Sequence, residues 1–565
     1  MRHIRWQLLI AIGGLILVVG LLLGQSPDSD SAAPQPVRGG TYSEALVGSL
    51  GRLNPVLDYA NQADRDVDRL LFSGLVRFDS RGLPTPDLAE GWSVSADATL
   101  YTFNLRANAV WHDGEPVTTD DVIYTFSKLQ DPAYPGPVDV AQMWQQIQVI
   151  RLDSRTVQFQ LPEPFAPFFD YLSLGLLPDH LLRGVSAADL ADHPYNLEPI
   201  GTGPFRFEGY LLEDGEVRGV RLAAFEDYYG ETPYLDRVEF RYYSDERAAL
   251  QAYRASEVLG ISSVADEILA DVLEIPNLNL HTAPLPRLTL VFLNLRNQER
   301  PFLTEKKVRQ ALLLAVNRQW IIDQVLGGQG TVAAGPILPS SWAFSEGIEP
   351  WPFSPEQAGA LLDQAGWVLP AGATPGTAEY VRTNEDVPLA FELLHPDDSR
   401  HTQIAQALQA SWAAIGAQVT LVPLDAQELL DARLDPRDYE AALTDLNLTR
   451  SPDPDPYPFW HDSQAETGQN YAGFEDRNIS IWLEQARITP DFAERAHLYQ
   501  SFQHRFRDQV PALPLFHPVY SFAIDSSVQG VTMGPVLDPS DRFASITSWY
   551  LLVRRDLERV PDATP

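Results

Sequence analysis

The spacing of apolar and polar positions predicts a mixed α/β protein. Tyr101, Phe103 and Leu105 alternate with Thr102, Asn104 and Arg106, the period of a half-buried strand. His112-Asp113-Gly114 then reads as a turn, with Gly supplying the positive φ that other residues resist. Thr118 and Asp121 stand at capping-box spacing before Val122, Ile123 and Phe126, so a helix is predicted to start there. Val157, Phe159 and Leu161 alternate after an Asp153-Ser154 turn, which predicts a hairpin over 149–161. Val238, Phe240 and Tyr242 make the inner face of another strand, and 288–295 is a strongly apolar one.

Helix signals dominate the second half. Thr304 is placed to cap a helix over 305–324, with Val308, Ala311, Leu312 and Ala315 on one stripe and Gly327-Gly328 as its stop. Ser354-Pro355-Glu356-Gln357 reads as a capping box with proline at the first helical position. Strand 389–394, a loop from His395 to His401, helix 403–415 and strand 418–422 then alternate. That order predicts a mixed sheet with helical faces. Thr489-Pro490 is expected to open the last long helix, ending near Arg507.

The N-terminus has a different pattern. Arg2, His3 and Arg5 precede an uncharged apolar run over 8–24. As a helix it would span roughly 25 Å, enough for a thin bilayer. It reads as an uncleaved anchor or as a signal peptide, with Ser31-Ala32-Ala33 the nearest small-residue site. Arg2 and Arg5 would keep the N-terminus inside and export the rest. The Ser/Pro/Asp-rich stretch 25–36 reads as a tether.

Composition removes several classes of function. The 565 residues carry a formal charge of −35, so a nucleic-acid phosphate backbone would be repelled. With no cysteine there is no disulfide, thiol catalysis or Cys-based metal site, and no Cys-borne lipid anchor. Phosphate-loop, zincin, nucleophile-elbow and dinucleotide motifs are all missing from the sequence. Gly201-Thr202-Gly203-Pro204-Phe205 hints at a phosphate loop but lacks the third glycine and a following helix start.

Three blocks in the first half carry a resemblance. They are Leu88-Ala89-Glu90-Gly91-Trp92, Tyr101 to Arg106, and Trp111 to Val122. They resemble a signature of the family 5 extracellular solute-binding proteins, the peptide receptors of ABC importers. Arg52-Leu53-Asn54-Pro55, the Gly201 to Phe205 block, the Val308-Arg309-Gln310-Ala311-Leu312 and Ala315 to Arg318 runs, and Val510 to Phe516 follow in the family's order. Ser256-Glu257-Val258-Leu259 departs from the family's Gly-Glu-Val-Asp turn, and Asp445-Leu446-Asn447-Leu448 stands where relatives often keep a Gly-Trp pair.

Candidate ligand chemistry sits in two places. Ser451 to Trp460 places prolines at 452, 454, 456 and 458, a stiff scaffold that forbids a helix and presents Asp453 and Asp455. The resemblance implies that Asp453, or failing it Asp455, pairs with a peptide's α-ammonium. Arg400 has the chemistry for bidentate carboxylate capture, and its position resembles that of a carboxylate-binding arginine in some dipeptide binders. Asn54, in the early loop, and Asn447 complete the expected ligand-binding set. No metal or cofactor is expected; His395 and His401 as ligands, and a phosphate at the glycine block, are the discarded alternatives.

The resemblance implies a two-lobed, periplasmic-binding-protein-like α/β fold of type II, in the large three-domain form, behind an apolar anchor helix. The expected division is 1–24 anchor or signal, 25–38 linker, 39–79, 199–285 and 517–553 domain I, 80–198 domain II, 286–516 domain III, and 554–565 tail. The expected activity is capture of di- or oligopeptides by hinge closure and delivery to ABC permease subunits with their ATPases. The expected form is a monomer on the extracytoplasmic face, periplasmic or at the cell surface. Another solute, such as an oligosaccharide or a metal chelate, stays open, and a secreted hydrolase with paired carboxylates is the rival from a different class.

Overall fold

The structure, a computed structural model, describes residues 36–448, 452–534 and 536–552. The apolar run over 8–24, nearly all of the 25–36 tether, Ser451 and the tail after Arg554 lie outside the described residues. Among those described, no helix is long and apolar enough to cross a membrane.

The chain begins with strand β1 (Thr41–Val47) and helix α1 (Gln62–Leu71), the latter capped by the Asn61 side chain. A four-stranded antiparallel sheet follows: β2 (Ala89–Val94), β3 (Leu100–Leu105), β4 (Gln148–Arg151) and β5 (Thr156–Gln160), in the order β2-β3-β5-β4. Helix α2 (Thr119–Gln130) accompanies it and starts as predicted. Thr118 N–H donates to Asp121 at 2.8 Å, while the Thr118 hydroxyl accepts from Asp120 N–H at 3.3 Å. Tyr101, Phe103 and Leu105 are buried, and Phe103 meets Phe159 edge-on at 5.8 Å.

The next strands return to β1. β6 (Phe205–Glu213), β7 (Glu216–Ala224) and β8 (Arg237–Tyr243) are antiparallel, β8 runs parallel to β1, and β9 (Gly260–Ile261) lies along β1's other edge. The glycine block that leads into β6 is a close-packing device. A Cβ at Gly201 would stand 1.9 Å from the Leu71 carbonyl oxygen, and one at Gly203 would stand 2.3 Å from that of Leu70. Only hydrogen fits there, against the end of α1.

Beyond α3 (Asp266–Leu273) come β10 (Leu278–Pro284) and β11 (Arg287–Leu293). The helix expected over 305–324 is two, α4 (Lys306–Leu314) and α5 (Arg318–Val325). Thr304 caps neither, because its hydroxyl donates back to Pro301 O at 2.6 Å. Asn317 instead interrupts the run and caps α5, accepting from Trp320 N–H at 3.0 Å. The predicted loop from His395 to His401 is also replaced. β12 (Ala390–Pro396) extends through His395, and α6 (Ser399–Ala414) starts early because Asp398 caps it, accepting from His401 N–H at 3.0 Å.

β13 (Gln418–Leu424) and β14 (Ala441–Asn447) flank β12 in parallel. Helices α7 (Arg477–Ile488) and α8 (Phe492–Gln509) lead to β15 (Ala512–Asp525). Thr489 fails to cap α8 for the same reason as Thr304. Its hydroxyl donates to Gln485 O at 2.8 Å, and Asp491 caps α8 in its place.

β15 is fourteen residues long and belongs to both halves of the molecule. Ala512 to Phe516 pair with β11, while Val519 to Asp525 pair with β10. The main sheet therefore runs β13-β12-β14-β11-β15-β9-β1-β8-β7-β6. The cores divide where β10 passes to β11. Tyr42, Phe103, Trp111, Phe240 and Trp549 share one cluster, whereas Val291, Leu312, Trp412 and Leu443 share another. Residues from 80–198 and from the segments around them belong to the first cluster together.

The last segment closes the first half with buried charge. Arg542 donates to Glu44 on β1 at 2.6 and 2.9 Å and to Asp66 on α1 at 2.8 and 2.9 Å. Tyr42 Oη donates to the other Glu44 oxygen at 2.5 Å. Burial pushes the Glu44 carboxyl up, and the Arg542 charge opposes that push. Removing one partner of such a group strands the others without water, which typically costs about 3–5 kcal/mol. Arg542→Ala should lose about that much in urea unfolding. Arg218→Ala, which breaks an exposed pair with Glu216, should lose less than about 1 kcal/mol.

Candidate ligand cleft

In α/β sheets ligands bind beyond the carboxyl ends of parallel strands. Here two such ends come from different halves. β12, β13 and β14 end at Pro396, Leu424 and Asn447. β1, β8 and β9 end at Val47, Tyr243 and Ile261. The loops and helix starts that follow these ends carry the charged side chains.

Arg400 lies in the first turn of α6. It directs Nη2 onto Asp445 Oδ2 at 2.8 Å and leaves about a third of its side chain (32%) open to solvent. Asp445, near the tip of β14, is a shared acceptor. Thr289 Oγ1 donates to its Oδ1 at 2.5 Å, His401 Nε2 stands 3.6 Å away, and Arg287 Nη1 stands 3.9 Å away. Although burial works against its charge, His401, Arg400 and Thr289 hold the Asp445 carboxyl well below the usual range. His401 is 7% exposed, with Nδ1 2.5 Å from Asp398 Oδ2. Burial opposes its protonation, but Asp445 and Asp398 outweigh burial and raise its pKa. Asp266, at the start of α3 in the other half, is exposed. Desolvation and Glu267 raise its pKa, and the charge of Arg400 pulls it back down.

In the proline-rich stretch both acids have internal partners. Asp453 is buried, and its carboxylate is held by Arg495 Nη2 and by Tyr499 Oη, the latter at 3.0 Å. Its N–H donates to Asp170 in the first half at 3.2 Å. Arg487 grips Asp455 at 2.6 to 3.1 Å and lies 4.0 Å over the Tyr457 ring. Internal guanidinium groups thus occupy both carboxylates, where the sequence reading put a ligand ammonium. Nor do the prolines exclude helix: Tyr457–Trp460 forms one turn, with Pro456 at its cap position.

Asn54 is fully buried. Its Nδ2 donates to Asn196 at 2.9 Å and its Oδ1 accepts from Val56 N–H at 3.0 Å, so it locks its loop instead of facing a ligand. Asn447 is exposed at the end of β14, opposite Arg287. His395 is buried, with Nδ1 2.7 Å from Pro396 O. Among the described residues no group of three or more His, Asp or Glu side chains could hold a metal.

An apolar recess opens between the halves, past the end of β14. Pro286, Ile337, Leu338 and Leu448 line it from one half, and Gly82 and Val536 from the other. Nearby, Trp342 N–H donates to Arg81 O at 2.8 Å, and Phe169 meets Phe492 at 6.3 Å. The end of β14 thus presents a partly open guanidinium with Asp445 and His401 behind it on one face, and an apolar recess past its other face. The sequence reading passed over Asp445 and Asp266. The one signal for Asp445 was a polar residue where relatives keep the Gly-Trp pair.

The profile described as bacterial extracellular solute-binding proteins, family 5 Middle, matches residues 84–469. The dipeptide-binding protein of Escherichia coli (strain K12) is 28% identical over 472 residues, covering 80% of this chain and 84% of its own. The oligopeptide-binding protein AppA from Bacillus subtilis, solved with a nonapeptide, is 25% identical with a TM-score of 0.64, covering 92% of this chain and 100% of that one. NikZ from Campylobacter jejuni, solved with Ni(L-His), is 26% identical with a TM-score of 0.65, covering 90% and 99%.

Two outcomes follow from the geometry. Asp453→Asn leaves Arg495 buried without its counter-charge and should lose about 3–5 kcal/mol in urea unfolding without any ligand. Unchanged stability would return Asp453 to a ligand role. His401, raised in the folded state, adds stability that is fully present below roughly pH 6.5 and is lost as pH rises through its folded pKa. Unfolding free energies of wild type and His401→Gln should therefore converge as pH rises.

Proposed function

The chain belongs to the bacterial extracellular solute-binding proteins of family 5, and on that footing we propose that it captures peptides between two lobes and hands them to an ABC permease. The observation that carries the peptide reading is Arg400. It is an oriented, one-third-open guanidinium at the end of β14, while an apolar recess lined by both halves opens past the same strand on its other face; together these suit a ligand with a carboxylate and an apolar side chain. The names of the relatives point the same way: one is a dipeptide-binding protein and another was solved with a nonapeptide. Chemistry on the ligand forms no part of this reading; capture by hinge closure and release does.

The lobes would hinge where β10 passes to β11 and where β15 changes partners, at 284–287 and 516–519. This supports domain I as 39–79, 199–285 and 517–553, domain II as 80–198 and domain III as 286–516. The protein would work on the extracytoplasmic face, held by the 8–24 run or released after its cleavage. In the ligand set, Arg400 takes the carboxylate and Asn447 borders the cleft. Asp266 replaces Asp453 and Asp455 as the acid that faces the ligand's ammonium.

A second reading has one observation behind it. NikZ holds Ni(L-His), a small chelate with a carboxylate of its own. A thermal-shift panel separates the two. Peptide pools should raise Tm by mass action. Arg400→Met should weaken binding of free-acid peptides by roughly 30-fold to several-thousand-fold, the 2–5 kcal/mol typical of a lost charge partner. It should barely change binding of C-terminally amidated ones. A shift with Ni–His and none with any peptide would overturn the peptide reading.

A further inference from the structure

We infer that His401 and Asp445 act as positioning residues behind Arg400 and make capture of the ligand's carboxylate tighten as pH falls. This rests on the proposed role of Arg400. Its support is the line of groups from Asp398 through His401 and Asp445 to Arg400: hydrogen bonds of 2.5 and 2.8 Å join its two ends, and between them His401 Nε2 stands 3.6 Å from Asp445, at ion-pair distance but not hydrogen-bonded.

The middle of that line is closed and both ends are open, Asp398 to bulk solvent at 51% exposure and Arg400 towards the cleft. Asp445 is 17% exposed and His401 7%, whereas Arg400 is 32% exposed. A ligand carboxylate at Arg400 must therefore compete with Asp445 for one guanidinium. What sets that competition is how far other cations satisfy Asp445. Thr289 satisfies one oxygen at every pH. Arg287 is a fixed charge but stands 3.9 Å off. His401 is the remaining group, and it titrates.

The charges facing this line come from four elements. Helix α6 supplies Arg400 and His401, with Asp398 at its cap; β14 supplies Asp445; β11 supplies Arg287; and α3 supplies Asp266 across the cleft, with Glu267 beside it. Leaving aside Glu267, which acts on Asp266, three carboxylates face two guanidinium groups while His401 is neutral. Protonation of His401 evens that balance. It also satisfies Asp445, so Arg400 is released towards the cleft. The ligand's own carboxylate, with a pKa of roughly 3.3–3.7, stays ionised throughout. A unit charge a few ångströms away in a partly buried site changes affinity by roughly tenfold or more.

The test is calorimetric titration of the full chain with one free-acid dipeptide from pH 5.5 to 8, for wild type, His401→Gln, Asp398→Asn and Arg400→Met. Wild type should bind roughly tenfold more tightly at pH 5.5 than at pH 8. His401→Gln should stay near the wild-type affinity of pH 8 throughout. The peptide's amine titrates identically in both proteins, so the ratio of their affinities isolates His401. Asp398→Asn keeps the imidazole and removes a stabilising carboxylate, so its midpoint should move to lower pH; this arm decides the matter if His401→Gln does not fold. Parallel profiles for wild type and His401→Gln, or an unmoved midpoint in Asp398→Asn, would overturn the inference while a weakened Arg400→Met preserved the capture reading. If Arg400→Met binds as wild type does, the capture reading fails and the inference fails with it.

Discussion

Arg542 holds the first half of the molecule together, and it does so under a severe electrostatic constraint. Its partners Glu44 and Asp66 are 498 and 476 residues away in sequence, and all three side chains are almost fully buried. Charges out of water are tolerated only when paired and hydrogen-bonded. β1 and α1 therefore carry two buried carboxylates that have neighbouring hydrogen-bond donors, Tyr42 and Gln62, but whose buried guanidinium partner arrives only after the chain has returned through β15. The requirement links the ends of the chain and gives the first half a reason to contain three separated segments. It also explains why β15 is so long: one strand must serve the second half's sheet and then reach the first.

The second half applies the same principle to its cleft wall. Asp453 and Asp455 are neutralised by Arg495 and Arg487 from the two long helices, which fixes the proline-rich stretch as a rigid surface. At the neighbouring strand tip Asp445 and Arg400 are paired as well, but there the guanidinium keeps an open side. Buried pairs that saturate each other build walls. A pair that is left part-open can exchange its partner for a ligand. Exposure alone does not separate scaffold from site, since Arg487 is 28% and Arg400 32% exposed; Arg487 grips Asp455 through both Nε and Nη2, whereas Arg400 directs a single nitrogen onto Asp445.

Local signals were legible in the sequence wherever the chemistry was local. The Thr118–Asp121 cap and the alternation around Tyr101 needed only neighbours, and both were read with their elements. Thr304 and Thr489 were misread because a threonine hydroxyl can turn back to the preceding turn as readily as forward to a helix. The pairing of Asp453 was not legible because its partner lies 42 residues downstream on a helix whose buried face holds an arginine among aromatic rings. The phosphate reading of the glycine block was rightly set aside in the sequence, but the block's actual need, close approach to the end of α1, is invisible until the chain folds. Arg400 was picked out by its chemistry and position; its relay was not, since Thr289, His401 and Asp445 meet only across three elements.

The proposed motion is closure of two lobes over a solute about the crossovers at 284–287 and 516–519. The chain has no cysteine, so two can be introduced alone and labelled. Ser244 follows β8 and Gln427 follows β13, both exposed beyond strand ends on opposite sides of the cleft. Energy transfer between dyes at Ser244→Cys and Gln427→Cys should rise when a saturating peptide is added and fall back when it is dialysed away. A distance that stays constant through a binding event detected independently by calorimetry would contradict the account.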